Sequence, residues 1–460
     1  MSIRHRPKDP CEPTMHHRSL PRSASRWLPV AILPAVFLPI AACLPSLVRA
    51  DEPPLAERFL LDGRLAEGIT ALEARLTSHP DDDQTRFGLA VTQFLRAVER
   101  LGQSLHRHGA LGPDNRLARM VPFLRLPVPP NPDPAEVSYA DVRTMLAAFV
   151  GDLAVAEKTL AAIRAAEVSL PLRFGLVRLD LDGDNEATER EALWRMQAAL
   201  AGPPRPRFIG GTELPPPTDE ELRRVAETFA LRLDRGDAFW LQGYCHLLSA
   251  LGEFALAHDM EACFDVLAPR LFARPKIRQL PAGMFREQEN IQSFIGDLNI
   301  FADLIAAVHE MRFEVIEPER CRTALGHLEQ VIRLSRDSWK AIEAETDDDH
   351  EWIPNAKQKG AIPDMQVSGE MIAGWREFLD EAEAILAGRR LVRHWRLAPA
   401  RGIDLRRVFL EPRTMDLVRW VQGAAAVPYV AEGECSDPEF WWRLQRLFRG
   451  QFLGFAIWFN

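Results

Sequence analysis

Apolar residues return every three to four positions through most of this chain, and no stretch sustains an alternation of period two. The run from Met371 to Leu386 is the clearest. There Met371, Trp375, Phe378, Leu379, Ala382 and Ile385 share one face of a 3.6-residue helix and leave an acidic opposite face. The same spacing predicts helices over 83–107, 139–166, 187–200, 237–266, 287–312, 318–344 and 437–450. Ser138 with Asp141, and Thr218 with Glu221, are placed to satisfy free backbone N–H groups at two helix starts. The expected fold class is all-α, with at most a short strand at Leu176–Leu181.

Two proline-rich stretches, Pro122–Pro134 and Pro203–Pro217, interrupt the helical pattern because proline cannot continue a helix. They divide the chain into units over 51–121, 135–202 and 218–460, after a leader of different character over 1–50. In that leader Arg18, Arg22 and Arg26 precede an uncharged apolar stretch from Trp27 to Val48, which closes on Val48-Arg49-Ala50. This is the layout of a signal peptide cleaved before Asp51, with initiation at Met15 giving the more ordinary proportions. Pro29, Pro34, Pro39 and Pro45 weigh against a retained membrane helix, since each removes a backbone donor that lipid cannot replace. Ile40-Ala41-Ala42-Cys43 is similar to a bacterial lipobox and offers another route, a lipid on Cys43. A periplasmic or extracellular location is expected, with membrane attachment only through Cys43 or a retained leader.

Charge narrows the partners. Taking the leader's seven basic and two acidic residues from totals of 56 and 65 leaves 49 and 63, a net charge of −14. Nucleic acid is therefore not an expected partner. Cys245, Cys263, Cys321 and Cys435 remain after processing, an even number that permits two disulfides in three connectivities, or buried free thiols.

Gly63-Arg64-Leu65, Gly68-Ile69, Leu72, Leu76 and Pro80 resemble the second helix and closing proline of a tetratricopeptide repeat. Phe87, Leu89 and Ala90 fall where a following repeat would place its packing residues, although Gly68 stands at the position of the usual alanine. The resemblance covers about forty residues. It implies stacked helix pairs with a concave face suited to binding proteins.

Asp180-Leu181-Asp182-Gly183-Asp184-Asn185-Glu186-Ala187-Thr188-Glu189-Arg190-Glu191 resembles an EF-hand calcium loop. The resemblance makes Asp180, Asp182, Asp184 and Glu191 carboxylate ligands of Ca²⁺, with Glu186 supplying its backbone carbonyl. Asn185 replaces the usual glycine at the sixth position and Ala187 a larger aliphatic residue at the eighth. An acidic turn capping the next helix is the simpler alternative.

Other polar groups are less specific. The run Asp347-Asp348-Asp349-His350-Glu351 reads as a solvated loop. His246 and His258 are twelve residues apart, too far to share a zinc on one helix. No nucleophile elbow, phosphate-binding glycine loop or paired-cysteine metal motif occurs. The aromatic tail from Phe440 to Phe459 is expected to dock into the core. These features point to an exported binding or scaffolding protein of the cell envelope, its partner unidentified, with a structural calcium ion. The alternative is a carboxylate-based hydrolase acting near Asp234, Asp237 and His246.

Overall fold

A computed structural model describes residues 54–112, 122–196, 207–209, 212–214, 217–278, 294–361 and 366–459. Residues 1–50, where a leader and its cleavage site are expected, lie outside them, Cys43 included. Among the described residues no helix is long and apolar enough to cross a membrane.

Helices dominate. A short α1 (Leu55–Asp62) ends at Gly63, whose φ of 68° lets the chain turn back into α2 (Leu65–Ser78). Gly68 is small because the Phe59 side chain lies on it: a Cβ there would sit 2.7 Å from the Phe59 Cβ. Then follows α3 (Asp83–Arg107), which Asp82 caps by accepting the Thr85 N–H. The expected capping boxes form at Ser138, opening α4 (Tyr139–Ala161), and at Thr218, opening α5 (Asp219–Thr228).

The centre of the molecule is a row of long helices, α3, α4, α6 (Arg235–Leu256) and α9 (Pro318–Ala344). Each runs antiparallel to the one before it, as their cross-contacts show. Thr159 meets Gln93 while Asp152 meets Arg100, and His246 meets His327 while Glu253 meets Arg320. Gly252 brings α6 close to Val150 of α4, and Gly236 brings it close to Ile342 of α9. One core draws on residues from Ala56 to Phe272. A second surrounds Trp339 and Trp375, where the Trp375 indole N–H donates to Ser335 Oγ at 3.0 Å.

The second core also receives the C-terminal pair α13 (Pro438–Leu447) and α14 (Phe452–Phe459), as the aromatic pattern led one to expect. Phe448, Phe452 and Phe455 are buried, with the Phe455 ring 5.4 Å from that of Trp375. Between these pieces lie α7 (Glu261–Leu271), α8 (Phe294–His309), α10 (Gly369–Leu386), α11 (Leu405–Leu410) and α12 (Leu417–Gln422).

Strand content exceeds the expectation. Segments of two to four residues form small antiparallel ladders; β1 (Leu170–Leu172), for example, pairs with β4 (Leu231–Leu233), and β2 (Arg207–Ile209) with β3 (Thr212–Leu214). Regular strand over Leu176–Leu181 does not form; a tight turn at Phe174–Leu176 leads to a single bridge between Arg178 and Ala192. That bridge holds Ala192 extended, so the helix expected over 187–200 starts as one turn at Glu189–Glu191 and is interrupted there. The helix expected over 237–266 is likewise two. The Ala257 carbonyl accepts the Ile316 and Glu317 N–H groups, and β5 (His258–Asp259) pairs with β6 (Arg312–Val315), which stops α6 and restarts the chain as α7.

Candidate functional site

Three groups of titratable side chains sit between the elements just described. The first is the loop of the predicted calcium site. Asp180, Asp182 and Asp184 each offer an oxygen within 4.8 Å of the others. Their carboxylates also build the turn itself. Asp180 accepts the Gly183 N–H at 2.7 Å and the Asn185 N–H at 3.2 Å; Asp182 accepts Asp184 N–H, and Asp184 accepts Glu186 N–H. Asn185 adopts φ 69°, the left-handed backbone that an asparagine tolerates where glycine is usual.

Of the four expected carboxylate ligands, Glu191 is not in that convergence. Glu191 Oε1 accepts the Leu181 N–H at 2.8 Å and Oε2 the Thr188 N–H at 2.9 Å, so it closes the loop and caps the next turn. Glu186, expected to supply its backbone carbonyl, is exposed, and its N–H donates to Asp184. The loop is packed against α3: Leu181 lies over Gly102, Gln103 donates to the Asp180 carbonyl, and Asp180 N–H donates to the buried Glu99 at 2.9 Å. Burial, above all, raises the Glu99 carboxyl despite its partner Arg96, and the neighbouring Asp180 charge adds to the effect. Ala187 is small because it faces Gly63.

The second group joins Asp234, Glu345 and Glu351, whose oxygens likewise lie within 4.8 Å of one another. Asp234 caps α6 through the Gly236 N–H at 2.7 Å, while the buried Asp237 returns a bond to the Asp234 N–H at 3.0 Å. Glu345 follows the end of α9 and accepts from Gln358 at 3.1 Å. Glu351 belongs to the acidic run that reads as solvated, yet it is buried. No cationic side chain is paired with any of the four among the described residues. Burial, then the bond to Asp234 and its charge, pushes Glu345 up to about 9; burial, with Asp234, Asp347 and Asp349 adding to it, pushes Glu351 up to about 7. Asp237 is raised well above the usual range by burial and then by Asp234. Shared protons or a cation are what such a cluster can hold.

His246 does not join those aspartates. It lies nine to twelve residues along α6, roughly 14–18 Å by helix rise. Instead it forms the third group, with Glu157 of α4 and His327 of α9. Two hollows among the described residues, at Pro54–Leu170 and His394–Val427, are lined by none of the carboxylates around Asp234.

The four cysteines among the described residues, Cys245, Cys263, Cys321 and Cys435, are free, and the first three are buried. The permitted disulfides therefore do not form in this structure, and burial pushes both Cys263 and Cys321 up to about 11. Glu345 and His327 escaped the sequence reading, and Glu351 was read as solvated, because more than eighty residues separate each from its partner, Asp234 or His246; the acidic run was the only local signal. No protein-family model, curated protein or solved structure matches the chain.

Proposed function

We propose that this is an exported binding or scaffolding protein of the cell envelope, with a tetratricopeptide-like helical start and one structural Ca²⁺ in the Asp180–Glu191 loop. The observation that carries the calcium reading is the convergence of Asp180, Asp182 and Asp184 beside the buried Glu99. Calcium would relieve the repulsion among these carboxylates and fasten the loop to α3. It suits the larger, flexible oxygen cage better than magnesium does. The binding role is supported by the α1–α2 hairpin stacked on α3 and by exposed apolar side chains such as Phe301, Ile305 and Val421. Titration calorimetry of chelator-treated protein tests the ion: one site with a Kd of about 10⁻⁴–10⁻³ M is expected, and absence of heat with calcium would remove it. Mass analysis of the exported form tests the location, with Asp51 expected at its N-terminus and a lipid on Cys43 the contrary result.

A second reading, carboxylate-based hydrolysis at Asp234, is favoured by its convergence with Glu345 and Glu351, the last raised to about 7 mainly by burial. Turnover of a hydrolysable substrate that is lost in Glu351→Gln would support it.

A further inference from the structure

His246 and His327 approach Nδ1 to Nδ1 at 2.7 Å across the most extensively packed helix pair of the fold. A hydrogen bond at that distance needs one proton between the two nitrogens. On its other side, His246 Nε2 lies 3.4 Å from Glu157 Oε1, which also accepts from Gln242 at 2.9 Å. A carboxylate there favours a proton on His246 Nε2, and His246 Nδ1 is then the acceptor. The Nδ1 proton therefore belongs to His327.

We propose that Glu157, His246 and His327 form a pH-sensitive latch joining α4, α6 and α9, closed at neutral pH and opened by acid. Counting protons gives the mechanism. The neutral pair holds two, one on His246 Nε2 and one on His327 Nδ1. A third makes one ring a cation and leaves a single proton between the two Nδ1 atoms, so the bond survives. A fourth puts a proton on both Nδ1 atoms, and two N–H groups then face each other between adjacent cations. The bond breaks, and the α6–α9 contact loosens around it.

The surroundings fit this assignment. The charged groups acting on the pair are Glu157 from α4 and Glu253 from α6; Glu157 also accepts from Gln242, and Glu253 is paired with Arg320 of α9 at 2.8 Å. Burial, and then the His246 charge, holds His327 below the ordinary 6.5, while Glu253 and Glu157 oppose them. A depressed histidine contributes stability that is complete above the unfolded value near 6.5 and is lost as pH falls below it.

Melting curves of the full chain at about pH 7.5 and pH 5 test the latch in the parent, His246→Gln, His327→Gln and the double variant. The parent is expected to lose about 2 °C more than either single variant over this interval. The double variant should be at least as flat as His246→Gln, because burial still holds His327 down when its partner is gone. Equal losses in parent and single variants would overturn the proposal. Nitrogen NMR of the unsubstituted, histidine-labelled protein gives a second reading: at neutral pH His246 should carry its proton on Nε2 and His327 on Nδ1. Two rings both protonated at Nε2 alone would contradict it.

Discussion

Gly63 and Ala187 meet so closely that a Cβ on Gly63 would lie 2.1 Å from the Ala187 Cβ. This contact seats the Asp180–Glu191 loop on the turn between α1 and α2, and it accounts for the small residue at position 187. Gly63→Ala should therefore be costly twice, through the clash and through the φ of 68°. A loss of about 2–3 kcal/mol is expected in urea unfolding. A loss below about 0.5 kcal/mol, the ordinary surface range, would mean that the contact is not held in solution.

The carboxylates around Asp234 predict an alkaline weakness. Glu345 is raised to about 9 in the folded chain, above its ordinary 4.5, so the folded state keeps the proton more tightly than the unfolded state does. The stability from that proton is complete below about 4.5 and is lost as pH rises through about 9. Glu345→Gln keeps a neutral polar group and cannot ionise. Between about pH 6 and pH 10 it should lose less stability than the parent, by about 1–2 kcal/mol. Identical losses would show that Glu345 is not the group being titrated.

Docking of the C-terminal aromatics makes a contrast within one short segment. Phe452 is 2% exposed and its ring lies 5.0 Å from that of Phe378, whereas Trp442 is 66% exposed. Phe452→Ala should cost about 3–5 kcal/mol, and Trp442→Ala about 0.5 kcal/mol or less. Comparable costs at the two positions would contradict the packing.

Local pattern made the long helices legible. The limits 83–107 and 318–344 coincide with α3 and α9, because apolar periodicity, a capping aspartate and an N-terminal proline all act within a few residues. The Asp180–Asp184 turn was legible for the same reason. What the sequence concealed depends on distant partners. Ala257 ends a helix only because the chain at Ile316 and Glu317 donates to its carbonyl. Glu351 looks like a solvated acid until the chain folds it against Asp234, and His327 carries no local sign of its partner His246.

The proposed binding of Ca²⁺ by the Asp180–Glu191 loop is tested most directly by the melting temperature in calcium against chelator. Binding to the folded state alone at a Kd of about 10⁻⁴–10⁻³ M adds about 1.4–2.7 kcal/mol in roughly 10 mM calcium. The parent should therefore melt a few degrees higher in calcium than in chelator. Magnesium should give a smaller rise, and Asp182→Ala should lose most of the calcium effect while keeping its helical spectrum. Equal melting temperatures for the parent in calcium and in chelator would contradict the account and leave Asp180–Glu191 as an acidic turn that caps the segment after it.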